Sequence, residues 1–158
     1  MITIPFKGNI DNVVDEYRDA GNDDLLVTAI EIAQSHMHGV AFDAGWWHNF
    51  ETNEDMRFNY DIPYKPEHHH RSITEMITLM HSELSEAFEG YRKNEMDDHL
   101  PNRYSFEVEL ADLIIRVFDC AGGLGLNLAH AVSEKLQYNK NRPDHKIENR
   151  KKPGGKTC

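Results

Sequence analysis

Apolar residues recur every three or four positions in four separate stretches of the chain, and period-two alternation is nearly absent. From Asp24 to about His38, Leu25, Leu26, Ala29, Ile30, Ala33 and Met37 fall at helical spacing behind the capping-type residues Asn22 and Asp23. Ser72 and Glu75 have capping-box spacing, and Ile73, Met76, Ile77, Met80, Leu84, Ala87 and Phe88 continue one stripe, predicting a second helix from Ser72 to about Lys93. A third is predicted from Ser105 to Ala121, with Val108, Ala111, Ile114, Ile115 and Phe118 inward, broken by "GGLG" at 122–125. Asn127 can cap a fourth through about Asn139, carrying Leu128, Ala131, Val132, Leu136 and Tyr138, with Pro143 as its latest end. The pattern therefore predicts an all-α protein, a helical bundle of about four principal helices.

The remaining segments lack a period. Residues 1–22 read as a partly ordered arm, and 39–70, rich in glycine, proline and aromatics, as a long connection of the kind that serves a site or a subunit contact. The stretch "ENRKKPGGKTC" is basic and glycine-rich, so composition predicts disorder there. The expected organisation is a single domain over 1–145 followed by a basic flexible tail over 146–158. A chain of 158 residues can bury a sizeable core without staples, and its two cysteines, Cys120 and Cys158, suggest no disulfide framework. No secretory leader or apolar span of 18 residues is visible, so a cytoplasmic protein with no membrane partner is expected. The formal charge of −10 argues against non-specific nucleic-acid binding, because the phosphate backbone would be repelled.

Charge placement changes the picture. In "HSELSEAFEGYRKN", Glu83 and Glu86 lie three apart beside core-type residues. With 27 acids in the chain, chance alone yields roughly five such pairs, most on solvated helix faces. The third helix, however, carries a second pair, Glu109 and Asp112, in "FEVELADLIIRVF". Residues three apart on a helix point the same way, so antiparallel packing of the second and third helices would bring the pairs together. Two bare carboxylates about 4 Å apart repel by roughly 4 kcal/mol at an effective dielectric near 20, so a positive charge is needed between them. Oxygen-only ligands suit a hard cation such as Mg²⁺, with Mn²⁺ as a substitute. On spacing alone, solvated amphipathic faces carry about equal weight.

"ELSE", followed after 22 residues by "ELAD", resembles the E-x-x-E then E-x-x-D signature of the MazG-like all-α NTP pyrophosphohydrolases, whose relatives include dimeric dUTPases. "EKLQYNKNRPDHK" is similar to that family's downstream Lys, Asn and Arg positions, here Lys135, Asn139 and Arg142. The resemblance covers about residues 72–145. It implies hydrolysis of a nucleoside triphosphate to its monophosphate and pyrophosphate, with Glu83, Glu86, Glu109 and Asp112 binding one to three Mg²⁺ ions as the catalytic centre. It further implies that Lys135, Asn139 and Arg142 face phosphate and sugar, that His38, Trp46 and Trp47 are candidates for stacking on the nucleobase, and that the chain forms a homodimer or homotetramer. Where some relatives have a further acid before the first Glu, this chain has Ser82.

Bland readings stand beside these. Lys135 and Arg142 also fit ordinary exposed charges near a helix C-terminus, and either Trp fits core packing. A closing role for Arg150, Lys151 and Lys152 competes with a solubilising tail, and "HHH" at 68–70 fits a solvated loop better than a metal site. Glu67 and His70 match half of a di-iron carboxylate motif, but no second copy exists. The long aromatic connection inclines the base preference toward a deoxypurine triphosphate such as dGTP; a dUTPase or dCTPase, a phosphoribosyl-ATP pyrophosphohydrolase and a non-enzymatic acidic DNA mimic are the competing readings.

Overall fold

The computed structural model describes residues 23–57 and 71–156. The predicted arm over 1–22, the "HHH" loop with Glu67, and Cys158 lie outside the described residues. Four long helices are present: α1, Asp23–Asp43; α2, Ile73–Lys93; α3, Ser105–Gly123; and α4, Leu128–Asn141. A 3₁₀ turn at Pro143–His145 and the short α5, Ile147–Arg150, follow. The described residues contain no strand, only the isolated bridges His48 to Asp55 and Met96 to Tyr104. None of their helices is long and apolar enough to cross a membrane.

The described chain divides into two compact units. Among the described residues, one holds 32–126 and the other holds 23–31 together with 127–156, the division falling within α1 between Glu31 and Ile32.

The first unit is organised by α2 and α3. Ser72 caps α2, its hydroxyl accepting from the Glu75 N–H at 3.2 Å, as the capping-box spacing predicts. Asn94 ends it in the left-handed conformation at φ 57°, and its N–H reaches the Gly90 and Tyr91 carbonyls. In the connection, the buried Asp97 carboxylate accepts from the His99 and Leu100 N–H groups at 2.9 and 2.6 Å, folding the chain into a tight turn. Contacts between the helices then run in opposite chain order. Tyr91 meets Phe106, Glu83 meets Arg116, and Arg71, just before α2, meets Asp119 near the end of α3. The pair is antiparallel, as the acid pairs require. Gly90 permits the close approach at one end, since a Cβ there would lie 2.6 Å from the Ser105 hydroxyl and 2.9 Å from the Phe106 nitrogen.

The core of this unit is Trp47, Met76 and Cys120, with Ala41, Phe42, Met80 and Leu124 packed around them. α1 runs five residues beyond its predicted end, because Phe42 and Ala41 continue the apolar face that meets Trp47. The first part of the expected long connection is ordered: Gly45 turns at φ 85°, and the Met56 N–H returns to the Trp47 carbonyl at 2.8 Å.

One expectation about burial is corrected. On α2 the buried positions are Met76, Glu83, Ala87 and Gly90, whereas Ile73, Ile77, Leu84 and Phe88 are about half exposed or more. On α3, Ile114 and Ile115, predicted inward, are also substantially exposed. A two-helix contact covers one narrow stripe of each helix, and the apolar face here is wider than that stripe.

In the second unit, the Asn127 side chain caps α4 by accepting from the His130 N–H at 3.2 Å. The tail is structured as far as residue 156. The Asn149 amide donates to the Pro143 carbonyl at 2.8 Å, and the Arg150 guanidinium to the Lys156 carbonyl at 3.1 Å.

Candidate metal centre

Antiparallel packing brings both acid pairs of the first unit to the same side of the α2–α3 contact. Glu83, Glu86 and Glu109 each direct one carboxylate oxygen to a common point, with those oxygens all within 4.8 Å of one another. Asp112, one turn beyond Glu109, lies outside this convergent set but is close enough for its charge to be felt by Glu109. Burial grades across the group: Glu83 is 6% exposed, Glu109 is half-buried and Glu86 faces solvent.

The electrostatics carry the signature of crowding. Loss of solvent is the largest influence on Glu109, followed by a hydrogen bond shared with Glu83 and the charges of Glu86, Glu83 and Asp112; together they push its pKa up to about 7. Asp112 is raised by the same kinds of cause, burial first and then the Glu83 charge, with Arg116 opposing and Asp97 adding to the rise. A proton near neutral pH therefore does part of the work of a cation.

Arg116 does another part. Its Nε donates to Glu83 Oε1 at 2.6 Å, and it stands one turn after Asp112 on α3. The Ser82 hydroxyl, at the position where an additional acid was considered, donates to Glu86 Oε1 at 2.8 Å.

The donor set fits a hard divalent ion. Ligand bonds of about 2.0 to 2.6 Å place opposite oxygens roughly 4 to 5 Å apart, so oxygens no more than 4.8 Å apart can share one ion with little movement. Oxygen-only chemistry favours Mg²⁺, Mn²⁺ or Ca²⁺ over softer metals.

A second polar node adjoins this centre. Asp119 Oδ1 accepts from Trp47 Nε1 at 2.6 Å and lies 2.9 Å from His38 Nδ1, while Oδ2 accepts from Arg71 Nη1 at 3.3 Å. The His38 and Trp47 rings meet edge to face at 5.3 Å, and the Arg71 guanidinium lies 5.2 Å from the Trp47 ring centre. A small open concavity beside the node is lined by Arg71, Met76, Leu79, Asp119 and Arg116, the last being the arginine that holds Glu83.

Two predicted base contacts, His38 and Trp47, thus appear as partners of Asp119. Trp47 is fully buried and its ring packs in the core, whereas Trp46 is 59% exposed with Arg71 5.9 Å from its ring. Lys135, Asn139 and Arg142 lie on or just after α4 in the second unit. There the Lys135 ammonium and the Arg142 guanidinium approach the Tyr138 ring at 4.7 and 5.8 Å, and Arg142 forks onto Asp144 at 2.6 and 2.9 Å. The Asn139 side-chain oxygen is buried without a hydrogen-bond partner among the described residues.

Sequence reasoning missed Arg116 and Asp119. Arg116 was findable, since it follows Asp112 by four residues on the same face. Asp119, a lone acid between Phe118 and Cys120, also signals a buried carboxylate in need of donors.

No family model, no curated protein and no solved structure matches this chain.

Proposed function

We propose that the chain is a Mg²⁺-dependent nucleoside triphosphate pyrophosphohydrolase that converts a (d)NTP to its monophosphate and pyrophosphate. The reading is carried by one observation: three carboxylates from two antiparallel helices converge, at positions of the E-x-x-E and E-x-x-D pattern, on a point that without an ion is relieved by a proton and an arginine. A bound Mg²⁺ would supply a water of lowered pKa and charge stabilisation for the phosphates.

The chain's own residues divide the remaining tasks. Glu83, Glu86 and Glu109 would hold the ion, and Asp112 adds negative charge beside them. Glu109 would give up its proton to an ion, since both cannot occupy the same crowded carboxylates. Ser82 and Arg116 fix the Glu86 and Glu83 carboxylates. Within the first unit, exposed Trp46 is better presented than Trp47 for stacking on a base. A deoxypurine triphosphate such as dGTP is the first substrate to try.

Self-association belongs to the same proposal. Ile73, Ile77, Leu84, Phe88 and Tyr91 form a helical stripe on α2 with exposures of 48 to 66%, the kind of face that a second copy covers.

Incubation with each dNTP and with phosphoribosyl-ATP in Mg²⁺, followed by chromatography of the nucleotides and an assay of pyrophosphate, tests the reading. One substrate should yield monophosphate and pyrophosphate, Glu86→Gln should abolish the reaction, and Asp112→Asn should slow it. No pyrophosphate from any of them would refute it.

A further inference from the structure

Resting on the cation reading above, the contacts at Glu83 and Glu86 limit how many ions the cluster can take. Each of the three convergent acids offers one oxygen. Two of them also carry a donor, since Arg116 Nε holds Glu83 Oε1 at 2.6 Å and the Ser82 hydroxyl holds Glu86 Oε1 at 2.8 Å. Three oxygens on one side make part of one hard ion's coordination, with water completing it. A second ion drawing on the Glu83 oxygen that Arg116 holds would have to displace the guanidinium.

Charge leads to the same place. Glu83, Glu86, Glu109 and Asp112 carry four negative charges, which one divalent ion and Arg116 reduce to one, so Arg116 supplies positive charge that a second ion would otherwise bring. The nearby Asp97 carboxylate adds a further negative charge that Asp112 feels.

We propose that Arg116 is a positioning residue that holds Glu83 and stands in for a second divalent cation, so that the cluster binds a single ion in the absence of nucleotide. Its guanidinium is a fixed cation, supplied by α3, at the edge of the concavity that it lines together with Arg71.

The test is a Mn²⁺ titration of the full chain without nucleotide, followed through the electron paramagnetic resonance signal of free Mn²⁺. Wild type and Arg116→Lys, which keeps the charge, should bind one ion per chain; Arg116→Met should bind two, with the exchange broadening of a Mn²⁺ pair. A second ion in the wild type overturns the inference while leaving the cation reading in place, and this outcome does not depend on any variant folding. Arg116→Met that keeps a wild-type helical circular dichroism signal yet binds one ion also overturns it. No binding to the wild type overturns the cation reading itself, and the inference with it.

Discussion

Replacing Asp119 by alanine should be among the most destabilising single changes in the first unit, and the size follows from its partners. The side chain ties α1, through His38, and the 44–57 loop, through Trp47, to α3 and to the start of α2, through Arg71. Trp47 is wholly buried, so its indole N–H, left without an acceptor, would forfeit about 1 to 3 kcal/mol. His38 and Arg71 have side chains 13% and 16% exposed, so each can recover part of its hydration and would add roughly 0.5 to 1 kcal/mol. The total for Asp119→Ala is about 2 to 5 kcal/mol, reaching the range for loss of one member of a buried pair. Asp119→Asn keeps an oxygen for Trp47 and His38 and should cost roughly half as much. For a chain of this size, the alanine variant should melt about 4 to 20 °C lower. Urea unfolding followed by circular dichroism and tryptophan fluorescence measures both. A cost under about 1 kcal/mol for alanine, or equal costs for alanine and asparagine, would refute the assignment of Asp119 as a shared acceptor.

Three further outcomes follow from the same geometry. Glu109 is raised from 4.5 to about 7, so its contribution to ion-free stability is complete below about pH 4.5 and is lost as pH rises through 7; melting temperature should fall over that window, and saturating Mn²⁺ should flatten the fall. A pH-independent melting temperature without metal would contradict the crowding of the acids. A Cβ at Gly123 would overlap the Trp47 ring, and that ring cannot retreat from a sealed core, so Gly123→Ala should cost about 1 to 3 kcal/mol in a denaturant titration. Asn94 ends α2 at φ 57°, so Asn94→Ala should lose about 1 kcal/mol in the same titration, while Asn94→Gly should stay within roughly 0.5 kcal/mol of the wild type.

What the candidate site owes to sequence is its acids and their helices. Three-residue spacing on two amphipathic segments is a local property, and the short connection between them allows few arrangements other than antiparallel packing. Hence Glu83, Glu86, Glu109 and Asp112 could be singled out from the chain alone. The way they sort themselves was not visible. Glu109 joins the Glu83 and Glu86 oxygens while Asp112 stands aside, because helix register and rotamers, which no spacing rule specifies, set distances at the scale of an ångström. Arg116 and Asp119 show the same limit: their positions were readable, but their partners are 33 residues or more away in the chain.

Burial diverged further. Periodicity marked Ile73, Ile77, Leu84 and Phe88 as apolar, and it could not say whether the surface they meet belongs to this chain. The sequence by itself determined the helical class, the caps at Ser72 and Asn127, and the face on which each acid lies, since these depend on neighbours within a turn or two. Only the tertiary structure decided that Trp47 is sealed against Gly123, that Asp119 gathers three donors, and that a guanidinium rests on Glu83. Those contacts join segments distant along the chain, and packing and the solvation of buried charge select them, neither of which has a period in the sequence.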